Sequence, residues 1–318
     1  MLPVTLRRLC PHATDPAMAP DKVFIETELE AEDFVREPPP RDPARLRVVA
    51  WNLERGLELA GQIELLCGHA ELRLADVLLL SEADRGCART GGRHVARELA
   101  QALGMRYVFG VQYVELPRRC RRRVHRVDAP CEHGNAVLSR YPLEDPELLR
   151  HRRTVSWYGH RIEPRLGGCA TLRATLRLGG RRLDTYAVHL DSGLRHDRER
   201  ASQAAELVAD ADARGMPSVL GGDFNTYGYT LDVLLGLGRD PTVRTFREAG
   251  FRDAHRGLPA RRRGTTSRRY LVRGVIDLIL SRGLAVRAAG VVRAPGLSDH
   301  FPVWAELEFP ERGGARSP

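Results

Sequence analysis

Short runs of Val, Leu and Ile recur along this chain, and one after another stops at an acidic, amide or imidazole side chain. Val48-Val49-Ala50-Trp51 stops at Asn52, and Val77-Leu78-Leu79-Leu80 leads to Ser81-Glu82. Tyr186-Ala187-Val188 stops at His189, and Val219-Leu220-Gly221-Gly222 leads to Asp223 and Asn225. Asp277 lies inside Val275-Ile276-Asp277-Leu278-Ile279-Leu280, and Asp299-His300 precedes Phe301-Pro302-Val303. Runs of this length and composition read as buried strands. A carboxylate inside one of them needs a partner or a metal, because an unpaired buried charge is costly.

Helical spacing separates some of these runs, over 57–72, 95–103 and 198–213, with shorter helical pieces near 230–237 and 242–249. Further strands are expected at 107–116, 134–139, 169–178, 182–190, 217–221, 274–280, 284–292 and 301–308. Gly179-Gly180 between two of them is a hairpin signal. Several strands follow one another with no helix between. That favours packed, mainly antiparallel sheets with helices outside over a doubly wound parallel sheet. Residues 45–309 read as the folded domain, 310–318 as a tail, and 1–44 as an extension. The acidic stretch Glu26–Asp33 within that extension reads as a solvated segment, and Pro38-Pro39-Pro40 as part of a linker.

With 42% hydrophobic and 29% charged residues in 318, a packed core is expected and wholesale disorder is excluded. No stretch approaches the roughly 18–20 apolar residues of a membrane span, and the N-terminus has no apolar leader core. The expectation is a soluble, cytoplasmic protein. The six cysteines show no CxxC pairing and read as buried or free thiols, with Cys120–Cys131 the pair that an oxidising compartment would join. The net charge is +9, and two readings of it stand. It suits a nucleic acid or an anionic surface; alternatively, with Lys22 the only lysine among 50 basic residues, the arginine excess reflects base composition.

The residue types at the strand ends suit hydrolysis of a phosphate ester. Oxygen ligands such as Glu82 and Asn52 favour a hard cation, Mg²⁺ or Mn²⁺. Asp223 and Asn225, two apart on a strand-end loop, suit placing a water and a phosphate oxygen together. A histidine held by a buried aspartate is a tuned acid, base or phosphate donor.

The ordered set Trp51-Asn52, Ser81-Glu82, Gly134-Asn135-Ala136-Val137-Leu138-Ser139-Arg140, Val188-His189-Leu190, Gly221-Gly222-Asp223-Phe224-Asn225, Ile276–Leu280 and Ser298-Asp299-His300 resembles the endonuclease/exonuclease/phosphatase superfamily. The resemblance covers residues 45 to about 309. It implies an α/β (α+β) fold, a four-layer α/β/β/α sandwich with the site at one edge of the paired sheets, and in-line displacement by water. By the same resemblance Glu82 is the main metal ligand with Asn52 beside it and Asp299 a further metal-site carboxylate. Asp223 orients or deprotonates the water, Asn225 contacts phosphate, His300 faces the scissile phosphate and is oriented by Asp277, and His189 is the second histidine. Val188-His189-Leu190 is more like the deoxyribonuclease, sphingomyelinase and inositol-phosphatase branches. The absence of a lysine soon after Glu82 departs from the AP-endonuclease pattern.

Other readings stay open. Asn135 either contacts substrate or shapes its strand end, and Arg165 is either a bidentate phosphate donor or a surface residue. His133, His160 and His196 read as solvated loop histidines. The arginine runs at 118–126 and 261–263 suit a polyanionic substrate (DNA, RNA or an anionic lipid headgroup) or reflect base composition. A phosphodiesterase or nuclease is expected; a phosphatase or phospholipase-C-type enzyme, and a catalytically silent binding module on the same scaffold, are the alternatives.

Overall fold

The computed structural model describes residues 29–39, 43–116, 119–120, 123–124, 131–158, 160, 163–267 and 273–310. In chain order the first sheet takes β1 (Glu30–Asp33), β2 (Arg45–Arg55), β3 (Val77–Arg85) and β4 (Arg106–Glu115). A two-rung hairpin, β5 (Arg119–Cys120) with β6 (Arg123–Val124), stands apart from both sheets. β7 (Glu132–Ser139) belongs to the first sheet, β8 (Leu143–Arg150) to the second, and β9 (Arg165–Gly167) pairs with β4. The second sheet continues with β10 (Ala170–Leu178), β11 (Arg181–His189), β12 (Ser218–Asp223), β13 (Arg252–Asp253) and β14 (Asp277–Arg282). β15 (Ala285–Val291) and β16 (Val303–Glu308) return to the first.

The first sheet runs β1-β4-β7-β3-β2-β16-β15, and the second runs β13-β14-β12-β11-β10-β8. Only β2–β3 and β11–β12 are parallel pairs among these; a crossover helix or loop must therefore return the chain twice. Helices α1 (Leu59–Gly68) and α2 (Val95–Leu103) cover the first sheet, while α3 (Asp197–Arg214), α4 (Tyr227–Leu235) and α5 (Pro241–Glu248) follow strands of the second. Period-two alternation sorts the strand residues between layers. Val48, Ala50, Val77, Leu79, Val137, Ala187, Val219 and Ile279 pack between the sheets. Val49, Leu78 and Leu80 pack under Leu66 and Leu99, and Tyr186, Val188 and Leu220 under Leu207 and Phe246. The result is the expected α/β/β/α sandwich of two mainly antiparallel sheets.

Local chemistry sets the helix ends. Asp240 accepts from the backbone N–H groups of Thr242 and Val243 at the start of α5, with Pro241 in the first turn. Gly104 and Gly215 close α2 and α3 in the left-handed region.

The structure departs from the sequence reading in several places, the short strands β5, β6, β9 and β13 among them. Part of the acidic stretch is strand β1, paired with β4. Its carboxylates are neutralised from neighbouring elements, Glu30 by Arg85 (2.7 Å) and His94 (2.8 Å), and Glu32 by Arg97 (2.6 Å). β8 was not expected as a strand; it is the sheet edge, where Pro146 removes no ladder bond that the core needs. Cys131 is bonded to Cys87, not to Cys120, with Cα atoms 4.3 Å apart. Arg85 and Glu132 are opposed on β3 and β7, so the two cysteines just beyond them face each other although far apart in sequence. His133 lies fully buried on β7 and is no loop histidine. His160 is exposed, and His196 is half-buried before α3.

No helix among the described residues is long and apolar enough to cross a membrane. The arginine run at 118–126 lies largely outside the described residues, and none of its side chains is described. In the second run Arg261 and Arg262 are exposed, while Arg263 turns inward to Asp253 and to Tyr229 Oη (2.9 Å).

Candidate active site

The alternation that builds the inter-sheet core also builds the cleft. Asn52 continues the face of Val48 and Ala50, Asp223 that of Val219, Asp277 that of Ile279, and His189 that of Ala187. His189 lies in register with Asp223 across the parallel pair, and Asp223 with Asp277 across the antiparallel one. Apolar strands thus end in a row of polar groups facing the opposite sheet.

Glu82 reaches the same space by breaking the alternation. As position four after Leu78 it would share the helix-side face. The β3–β7 register shifts between Leu80 and Ala83, and Glu82 sits at φ 53°. This bulge turns its carboxylate toward the second sheet. Asn225 is also left-handed, at φ 52°. Two glycines let the strands come close. A Cβ on Gly221 would stand 2.8 Å from Leu79 Cδ1 of the facing sheet; one on Gly222, at φ +142°, would stand 2.0 Å from the Val188 carbonyl oxygen.

Asn52 Nδ2 donates to Glu82 Oε1 (3.2 Å) and Asp223 Oδ2 (3.1 Å), while its Oδ1 accepts from the Glu54 N–H (3.0 Å). Asn225 N–H donates to Asp223 Oδ1 (2.9 Å), and Asn225 Nδ2 to the Leu190 carbonyl (2.9 Å). His300 Nδ1 donates to both Asp277 oxygens (2.8 and 3.0 Å). Its Nε2 is left 3.7 Å from Asp223 Oδ2 and 4.0 Å from Asp299 Oδ1. The loop carrying His300 is pinned to β2. Ser298 Oγ donates to the Asn52 carbonyl (2.8 Å), Trp51 Nε1 to the His300 carbonyl (3.0 Å), and Asp299 N–H to Glu54 (2.8 Å).

These contacts set the charges. Burial pushes Asp223 up to about 7; His300 opposes this, and Asp277 and Glu82 add to it. Burial also works against the charge on Glu82, but His133, His189, Arg55 and His300 outweigh it and hold the carboxyl well below its usual range. Burial alone would lower His300, yet Asp277 and Asp223 raise it well above the usual histidine range. Burial lowers His189 to about 4, against the pull of Glu82, so this ring is neutral at pH 7. His189 Nε2 is 3.9 Å from Glu82 Oε1 and 4.0 Å from Asp223 Oδ2.

The cleft, about 140 Å³, brings together Glu82, His189, Asp223, Asn225, Asp299 and His300, with Arg55, Trp157 and Arg165 on its wall. A larger cavity of about 630 Å³, between α1 and the β15–β16 edge, is lined mainly by apolar side chains such as Leu65, Leu258 and Trp304. Its lining holds one imidazole, His69, and one carboxylate, Glu71, rather than the several that converge in the smaller cleft. Arg165 is buried and stacks on Tyr113 and Trp157. Its guanidinium is held by Glu115 (3.0 Å) and Glu163 (2.7 Å). Asn135 stands on the same β7 face but donates to the Ala170 carbonyl (2.8 Å), leaving its Oδ1 without a partner.

Sequence reasoning missed four residues here. Arg55 pairs with Glu163 (2.7 Å) at the cleft wall. Gln112 Oε1 accepts from His189 Nδ1 (3.1 Å). His133 and Asp84 (3.1 Å apart) stand behind Glu82. The pattern His133-x-Asn135-x-Val137 was the signal for His133, since it continues the inter-sheet face of β7.

A family model described as the endonuclease/exonuclease/phosphatase family matches residues 49–300. No curated protein matches the chain in sequence. Among solved structures, an endonuclease/exonuclease/phosphatase from Beutenbergia cavernae superposes with a TM-score of 0.63 at 20% identity, over 84% of this chain and 72% of that one. Humanized D. rerio TDP2 gives a TM-score of 0.56 at 16% identity, over 84% and 100%. The human Nocturnin catalytic domain with bound sulfate gives 0.56 at 17%, over 89% and 98%.

Proposed function

The chain belongs to the endonuclease/exonuclease/phosphatase family, whose members are phosphoric ester hydrolases, and on that premise we propose that it is a divalent-metal-dependent phosphodiesterase using water as nucleophile. The observation that carries this reading is the pairing of His300, doubly bonded to Asp277, with Asp223 across a gap of 3.7 Å. An acid and a base face each other there with no direct bond, beside a third carboxylate, Glu82.

The donor set fits a hard cation. Glu82, Asp223 and Asp299 gather in one buried cleft, where burial first, and then the charges of Asp277 and Glu82, raise Asp223 to about 7. Mg²⁺ or Mn²⁺ held by Glu82 and Asp299 would polarise a phosphoryl oxygen and offset charge on the leaving oxygen; Asn52 would join them only with its amide turned over, since its oxygen here accepts from the Glu54 N–H. Asn52 keeps Glu82 and Asp223 at a fixed separation through its two N–H bonds. Asp223, with its raised pKa, accepts the proton of the attacking water. Asn225 fixes the orientation of Asp223 through its backbone N–H; its Nδ2 gives one hydrogen to the Leu190 carbonyl, and the other would serve a phosphate oxygen. His300, kept as an imidazolium by Asp277, donates Nε2–H to the phosphoryl group as negative charge develops. His189 is neutral and faces the same space. Arg55 and Arg165, neutralised by Glu163 and Glu115, line the approach and suit an anionic substrate that competes for their guanidinium groups. A sulfate bound by the Nocturnin catalytic domain agrees with anion binding on this fold.

The test is a panel of duplex DNA, single-stranded DNA and RNA, phosphoinositides and sphingomyelin, assayed with Mg²⁺ and with EDTA. Hydrolysis of one class that EDTA abolishes is expected. Binding without turnover of any member would instead favour a silent module.

A further inference from the structure

Glu82 also belongs to a second cluster, whose deeper member, His133, the proposed chemistry does not use. Glu82, His133 and His189 each offer a ligand atom, and these atoms lie within 4.8 Å of one another. The two rings are 6.5 Å apart between centroids and lie edge to face, at 63°. His133 is fully buried, and its Nε2 is without a hydrogen-bond partner. An unpaired polar nitrogen there is expensive unless something outside the chain meets it.

Hydrogen bonds on the far side of each ring fix what that something is. His133 Nδ1 donates to Asp84 Oδ1 (3.1 Å). Asp84 is fully buried and itself clamped by Arg89, through Nε (2.6 Å) and Nη2 (2.8 Å). His189 Nδ1 donates to Gln112 Oε1 (3.1 Å), and Gln112 Nε2 donates back to the His189 carbonyl (3.3 Å), which fixes the amide orientation. In the neutral form of each ring the proton therefore sits on Nδ1 and the lone pair on Nε2. Two lone pairs and a carboxylate oxygen converge with no hydrogen among them; His189 Nε2 and Glu82 Oε1 are 3.9 Å apart, too far to bond and suitably spaced for two ligands of one ion. A carboxylate or amide behind each ligating imidazole is the arrangement that orients histidines on metals.

We propose that Glu82, His133 and His189 form a nitrogen-rich site for a borderline transition-metal cation of the Zn²⁺ type, separate from the hard-cation role of the oxygen ligands and sharing only Glu82 with it. Imidazole ligands favour zinc over magnesium. The inference rests on the proposed function only in taking Glu82 as a cation ligand.

The test is equilibrium dialysis of metal-free full-length protein against Zn²⁺ alone and against Zn²⁺ with excess Mg²⁺, with bound metal measured directly. One tightly held equivalent that Mg²⁺ does not displace is expected. Co²⁺ in its place should give ligand-field bands without thiolate charge transfer. His133→Ala should lose the equivalent, and Asp84→Asn should weaken it about 10–100-fold. Should His133→Ala not fold, as judged by circular dichroism, His133→Gln and Asp84→Asn carry the comparison. Absence of zinc binding, binding unchanged in the folded variants, or a thiolate spectrum would each overturn the site. Hydrolysis with Mg²⁺ on the same protein is scored separately. Zinc binding without hydrolysis counts against the proposed function alone, and hydrolysis without zinc binding against this site alone.

Discussion

Replacing Asp223 by Asn should make the cation-free protein more stable while removing its activity. The folded-state pKa of Asp223 is about 7 against an ordinary 3.8. A carboxyl raised in the folded state binds more protons there than when unfolded, so it lowers stability as pH rises from about 4 and does so fully above about 7. A rise of that size is worth roughly 4 kcal/mol at pH 8. Part of that gain is returned by the variant. Asn52 Nδ2 would face a second amide N–H, or the new side chain would flip and lose the Asn225 N–H bond, at about 1 kcal/mol. His300 would also lose one of its three counter-charges, Asp277 and Asp299 remaining, at a further cost of about 1–2 kcal/mol. A net gain of about 1–2 kcal/mol remains, or a Tm rise of roughly 2–4 °C for a domain of this size. The assay is thermal unfolding in a chelating buffer at pH 4.5, 6 and 8. The gain should be largest at pH 8 and fade toward pH 4. Mg²⁺ should then raise the Tm of the wild type more than that of the variant. A variant less stable than wild type at every pH, or a difference that does not change with pH, would refute the view of this cleft as a site where function costs stability.

Other substitutions test the supporting geometry. Asp277→Asn should lower the pKa of His300, so the alkaline limb of the pH–rate profile moves down and the rate at pH 8 falls about 10²-fold or more; a profile in its wild-type position would count against an imidazolium at His300. Gly222→Ala would place a Cβ 2.0 Å from the Val188 carbonyl oxygen in an unfavourable backbone region, and should lower stability by about 3 kcal/mol in urea unfolding. Cutting the Cys87–Cys131 bond by Cys87→Ser should cost about 2–4 kcal/mol, since the bond closes a separation of 44 residues; an unchanged denaturation midpoint in oxidising buffer would mean that the pair is not joined.

The layers and the polar ends of the strands were legible because burial on both faces leaves near-continuous apolar runs, and such runs make any interrupting carboxylate conspicuous. Asp277 stood out for that reason. Glu82 was legible as a residue but not as a direction: its side chain reaches the cleft through a bulge and a positive φ, and neither has a residue signature at Ser81-Glu82-Ala83. His133 was hidden because it precedes a motif whose conspicuous residues are the glycine and the asparagine, and its burial depends on strand pairing with β3 and β4. The pairing of β3 with β7 likewise decides which cysteine meets Cys131, a choice that sequence separation does not encode. Acidic β1 read as a solvated segment because its neutralising partners, Arg85, His94 and Arg97, lie far away in the chain.

The measurement closest to the central claim is the rate of bis-p-nitrophenyl phosphate hydrolysis by wild type, Asp223→Ala and His300→Ala in Mg²⁺, each checked for folding by circular dichroism. Wild type should turn over only with the cation, and each variant should lose at least about 10²-fold. Equal rates in all three proteins, or turnover that persists in EDTA, would contradict the assignment of these strand ends to catalysis.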